Sequence, residues 1–98
     1  MNKCPLTLKI GGWLVKVLLV PKLAGGLVGE WSEQNTLIKL SADQSLEGMK
    51  ATLLHEAIHA QADAMEWNAA EKTVLRVEKL LFSLIRNNPD LIKWIQEK

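Results

Sequence analysis

Ser45-Leu46-Glu47-Gly48-Met49-Lys50-Ala51-Thr52-Leu53-Leu54-His55-Glu56-Ala57-Ile58-His59 is the stretch that decides how the chain is read. Ser45 suits a helix N-cap, and Glu47 falls in the first turn, where the helix dipole favours a carboxylate. Leu46, Met49, Leu53, Ala57 and Ile58 recur at spacings of three and four, the mark of a core-facing helical stripe. The pattern fades near Trp67. A helix from Ser45 therefore carries His55 and His59 one turn apart on one face, with Glu56 offset around the axis.

That arrangement has a chemical meaning. Two stacked imidazoles can hold one zinc ion, and the carboxylate beside the first can reach a water on that metal. Zinc lowers the pKa of such a water towards neutrality, so Glu56 is the candidate general base. The chain has only two histidines, and both fall in this His-Glu-Xaa-Xaa-His motif.

A third ligand must then be a carboxylate, and Asp63, Glu66, Glu71 and Glu78 are the candidates. Asp63 lies one turn beyond His59 on the same helix and reads as a supporting or surface residue. Glu66 lies at the helix end, facing solvent. Asn68 with Glu71 three residues on resembles a capping box that starts a second helix, which explains Glu71 simply and makes it second choice. Glu78 sits in the apolar stripe of that helix, with Val74, Leu75, Leu81 and Phe82 around it. None of these can pair its charge, and an unpaired carboxylate facing a core is costly. Zinc ligation by His55, His59 and Glu78, one ion per chain, is the expectation. Cys4 as a fourth ligand would close the site. A small apolar residue is the simpler reading of that cysteine.

Outward from the motif, the chain divides near residue 42. Residues 1–42 read as a sheet and 43–98 as a helical part of a single domain. Leu6, Leu8 and Ile10 alternate with Thr7 and Lys9 as in a half-buried strand, and Gly11-Gly12 is a hairpin signal. Trp13–Val20 is the return strand, stopped by Pro21. Leu27–Trp31 and Thr36–Leu40 form a second hairpin through Ser32–Asn35. The second helix carries Val74, Val77, Leu81, Leu84 and Ile85 inward and stops at Asn87-Asn88. A third spans Pro89–Gln96, with Leu91, Ile92, Trp94 and Ile95 as packing residues. The order makes an α+β fold: a small antiparallel sheet packed on the motif helix, then two further helices. The tryptophans Trp13, Trp31, Trp67 and Trp94 are expected mainly as core or dimer contacts, with a substrate cleft as the other use.

Composition sets the remaining bounds. Of the 98 residues, 48% are apolar and 23% charged, the balance of a globular protein. A net charge of +1 gives no reason to expect nucleic acid or an anionic membrane. A lone cysteine points to no oxidising compartment, and no apolar run is long enough to span a bilayer. Lys3 with Ala24-Gly25-Gly26 faintly resembles a signal peptide. The run between them alternates and is broken by Lys16, so a strand and a cytoplasmic location are the expectation.

Lys9-Ile10-Gly11-Gly12, Val15-Lys16-Val17, Leu27-Val28-Gly29-Glu30, Thr52–Ala60, Val77-Glu78-Lys79-Leu80-Leu81 and Asn87-Asn88-Pro89-Asp90-Leu91 together resemble the small phage- and prophage-encoded zinc metallopeptidases. These are minimal, gluzincin-like relatives of the ImmA/IrrE-type peptidases. The resemblance covers nearly the whole chain. It implies zinc on the motif histidines and on a downstream helical glutamate matching Glu78. The interval between His59 and Glu78, residues 60–77, is similar to that in thermolysin-like gluzincins. Those enzymes often carry an aspartate one turn after the ligand to orient a histidine, and here that position is Phe82. The chain also lacks a tyrosine or third histidine to stabilise an oxyanion. Zinc, a backbone N–H, an indole or Arg76 are the substitutes. The resemblance implies peptide-bond hydrolysis, with a repressor or other regulatory protein as substrate by analogy. Thr36–Leu40 is the expected edge strand for an extended substrate. The competing expectation is a non-catalytic, zinc-stabilised interaction module of phage origin. Oligomeric state is left open.

Overall fold

The computed structural model describes residues 4–98, so Lys3 of the signal-peptide reading lies outside the described residues. Four strands precede three helices: β1 (Thr7–Ile10), β2 (Trp13–Val20), β3 (Gly29–Ser32), β4 (Leu37–Ser41), α1 (Leu46–Ala64), α2 (Glu71–Asn87) and α3 (Pro89–Gln96). The α+β class and the segregation of sheet from helices are as expected. Among the described residues no helix is long and apolar enough to cross a membrane.

β1 and β2 form the expected hairpin, pairing Thr7 with Lys16 and Ile10 with Trp13. Gly11 turns it with φ +59, and a Cβ there would lie 2.7 Å from the Ala64 Cβ, so glycine is needed for both backbone and space. β3 and β4 form the second hairpin, with Trp31 opposite Ile38.

The sheet order is β1-β2-β4-β3, and β2 pairs with β4 in parallel. This corrects the expectation of a purely antiparallel sheet. It also corrects Thr36–Leu40 as edge strand: β4 is interior, and the edges are β1 and β3. The reason lies in burial. Ile38 and Leu40 of β4 are fully buried, whereas β3 contributes Gly29, Glu30 and Ser32, which suit an edge better. Residues 21–36 between β2 and β4 are long enough for the crossover that a parallel pair requires.

One face of the sheet packs on α1. Ile10, Val15, Val17, Ile38 and Leu40 form the core with Ala60 of α1, flanked by Leu8, Trp13, Trp31, Leu53 and Ala57. Cys4 joins this cluster as a half-buried apolar residue, and burial raises its thiol pKa. α1 lies between the sheet and α2, so its contacts run around the helix instead of along one stripe. Its buried residues are Thr52, Ala60 and Ala62, whereas Leu46 of the expected stripe is exposed. α2 is fastened to α1 at its far end by Arg86, which donates to both carboxylate oxygens of Glu47 at 2.5 and 3.0 Å. In α3 only Ile92 is shielded. Leu91, Trp94 and Ile95 are exposed.

Candidate metal centre

Both histidines project from α1 towards α2, their ring centroids 4.9 Å apart and nearly edge to face. The helix that holds them starts as the sequence indicates. Ser45 has extended φ/ψ, and its hydroxyl accepts from the Gly48 N–H at 3.0 Å.

α2 starts differently. Its N-cap is Ala70, with no side-chain cap bond, so the capping box of Asn68 and Glu71 does not form. Glu71 opens the helix instead and turns back over the motif. Its two oxygens lie 2.6 Å from His55 Nε2 and 3.0 Å from His59 Nε2. Glu78, two turns further along the same face, meets the other ring nitrogen of His55, Nδ1, at 2.9 Å. Val74, fully buried between the two glutamates, anchors that face of α2. The carboxylate facing both Nε2 atoms is thus Glu71, the second choice from sequence, while the expected ligand Glu78 stands behind His55.

His55, His59 and Glu71 can hold a metal ion, since one ligand atom from each lies within 4.8 Å of the others. The chemistry of the donors fits a cation. His55 has a carboxylate on each ring nitrogen, and both are acceptors. With Nδ1–H donated to Glu78, the Nε2 lone pair of the ring faces Glu71, an arrangement that a cation between them would satisfy. The Glu71 oxygens stand 2.6 and 3.0 Å from the two Nε2 atoms, near the roughly 3.3 Å that separates neighbouring ligand atoms on zinc with bonds of about 2.0–2.1 Å. A carboxylate on the second ring nitrogen is the usual support of a metal-bound histidine. Cys4 is not in this group.

Burial differs sharply around the site. The side chains of His55 and Glu78 are each 15% exposed, and that of Glu71 is 60% exposed. Glu56 is half-buried, and desolvation raises its pKa, against the opposing pull of His55 and His59. Asp63 is exposed and accepts the Trp31 indole N–H at 2.7 Å, and Glu66 faces solvent at the helix end with φ +57.

A cleft of about 680 Å³ lies over the centre. His55, Glu56, His59, Glu71 and Glu78 form its floor and one side, and β3 with Leu27 and Val28 forms the other. Trp31 is the tryptophan that lines it, and its ring packs on Trp13 at 5.8 Å. Arg76 does not reach the cleft, being exposed elsewhere on α2. Sequence reasoning ranked Glu71 behind Glu78 as the facing carboxylate. The available signal was its seven-residue interval to Glu78, two helical turns, with Val74 between them.

Compared with models of known protein families, with curated proteins and with solved structures, the chain shows no match.

Proposed function

We propose that the protein is a zinc-dependent peptidase in which His55, His59 and Glu71 ligate one zinc ion, Glu78 orients His55, and Glu56 is the general base. The observation that carries this reading is the meeting of both Nε2 atoms with the Glu71 carboxylate beside an open cleft. Three protein ligands leave a coordination position for water, as catalytic zinc requires, while structural zinc usually has four. The reading revises the ligand assignment drawn from sequence. Glu78 takes the orienting role for which the resemblance offered only Phe82.

Zinc in such a site supplies Lewis acidity and brings the pKa of water near neutrality. The residues of the chain do the rest. Glu56, beside His55 on α1, takes the proton and passes it to the leaving amine. Its partial desolvation makes it a stronger base for that transfer. β3 is the edge strand along the cleft, so an extended peptide can add to its free side by main-chain hydrogen bonds.

A zinc-stabilised interaction module without catalysis is the second reading, and one observation favours it. Of the oxyanion donors expected from sequence, Arg76 is out of reach and the Trp31 indole already donates to Asp63. A backbone N–H and zinc itself remain, and loss of one such donor costs about 100- to 1000-fold in rate.

Elemental analysis with a set of variants tests the proposal. The wild type should hold one zinc per chain. Glu71→Ala should lose it, and Glu78→Ala should bind about 10- to 100-fold more weakly. Glu56→Gln should keep the metal and lose peptide hydrolysis. Full zinc affinity in Glu71→Ala would refute the ligand set. A loaded wild type that cleaves no peptide in a broad library would favour the interaction module.

A further inference from the structure

The edge strand beside the metal centre is fastened to the motif helix on both sides of the motif. Upstream, the Gln44 amide donates to Val28 O at 3.0 Å and Ser41 O at 2.9 Å, and its oxygen accepts from the Thr52 hydroxyl at 2.9 Å. Thr52 is buried and lies one helical turn before Glu56. Downstream, the Trp31 indole donates to Asp63, one turn beyond His59. Between these ties Gly29 lets the strand sit directly on the helix. A Cβ there would lie 2.4 Å from Thr52 Cγ2 and 3.3 Å from Glu56 Cγ. None of these groups touches the metal-facing atoms. They set the height and register of β3 relative to His55, Glu56 and His59.

We propose that Gln44, Thr52, Gly29 and the Trp31–Asp63 pair form a clamp that fixes where a peptide added to β3 lies over the metal centre. They are positioning residues for the substrate backbone, and the inference rests on the metal-site reading above. The substrate class it implies is an extended, unfolded peptide segment read through its main chain. Leu27, Val28 and Leu75, each about half exposed on the cleft walls, favour an apolar side chain on that segment.

Two hydroxamates separate the clamp from the metal. Acetohydroxamate can reach only zinc, whereas a leucine-containing tripeptidyl hydroxamate also reaches β3. On the zinc-loaded protein the tripeptidyl probe should bind at least about tenfold more tightly, the equivalent of about 1.4 kcal/mol. Trp31→Phe keeps a ring against Trp13 and removes only the N–H donor. Trp31→Phe, Gln44→Ala and Asp63→Ala should each lose most of that increment, with acetohydroxamate affinity unchanged. Asp63→Asn, which retains a carbonyl acceptor, should restore it. Circular dichroism and zinc stoichiometry establish that each variant is folded and loaded, and any that is not is replaced by Thr52→Val, which removes the hydroxyl that donates to Gln44 and should likewise lose the increment. Variants that keep the increment, a wild type without one, or variants that weaken acetohydroxamate equally would each overturn the clamp. Failure of the wild type to take up zinc would overturn the metal-site reading, and the clamp with it.

Discussion

Glu56 carries a cost in the metal-free protein because its carboxylate is partly desolvated beside other acidic groups. Its folded-state pKa is raised, so the folded protein binds this proton more tightly than the unfolded chain does. Stability from this group is therefore greatest below the unfolded value and falls as pH rises through the folded one. Glu56→Gln has no such titration. Without metal, the variant should be more stable than the wild type at neutral pH, with the advantage shrinking as pH falls through the raised folded-state value and gone below the ordinary carboxylate range. Urea titrations of both proteins across that interval check it. At the same scale, Glu71 and Glu78 show that residue type alone does not decide which carboxylate faces both histidines. Both are glutamates on one face of α2, and what distinguishes them is which nitrogen of His55 each meets.

Among the elements, α1 is the scaffold of the site, and its start is set locally. Ser45→Ala removes the hydroxyl that accepts from the Gly48 N–H. It should cost about 1 kcal/mol in chemical denaturation without changing zinc stoichiometry. The cap lies more than two turns from His55, so the motif geometry is untouched. α2 is held from both ends instead, by Glu71 and Glu78 on the histidines and by Arg86 on Glu47. The Arg86 pair holds the Glu47 carboxyl below its usual range, although both partners are exposed and salt screens them.

For the molecule as a whole, stability rests on the layer between sheet and α1. Ile38 is fully buried at the centre of β4, bonded to strands on both sides. Ile38→Ala should cost about 2–5 kcal/mol, a large share of the roughly 5–15 kcal/mol available to a domain. Guanidinium denaturation of the metal-free protein measures it. The α1–sheet layer also decides the reach of the cleft, because β3 is an edge only when β4 occupies the interior position.

Much of this was legible in the sequence, because it depends on near neighbours. The β-branched and aromatic run Trp13–Val20, stopped by Pro21, gave β2 its bounds, Gly11-Gly12 its hairpin, Ser45 the start of α1, and Pro89 the first turn of α3. The four-residue spacing of His55 and His59 placed both rings on one helical face, as helix geometry requires. Three things were settled only by tertiary structure. β4 entered between β2 and β3 because burying Ile38 and Leu40 outweighs pairing strands in chain order. Glu71 turned onto the histidines because α2 is capped one residue before it, at Ala70, so no capping box engages its carboxylate. Gly29 and Gln44 acquired a role only because β3 lies against Thr52 and Glu56. Local spacing fixes the direction of a side chain around its own helix or strand, while the partner it meets is set by how separate elements pack.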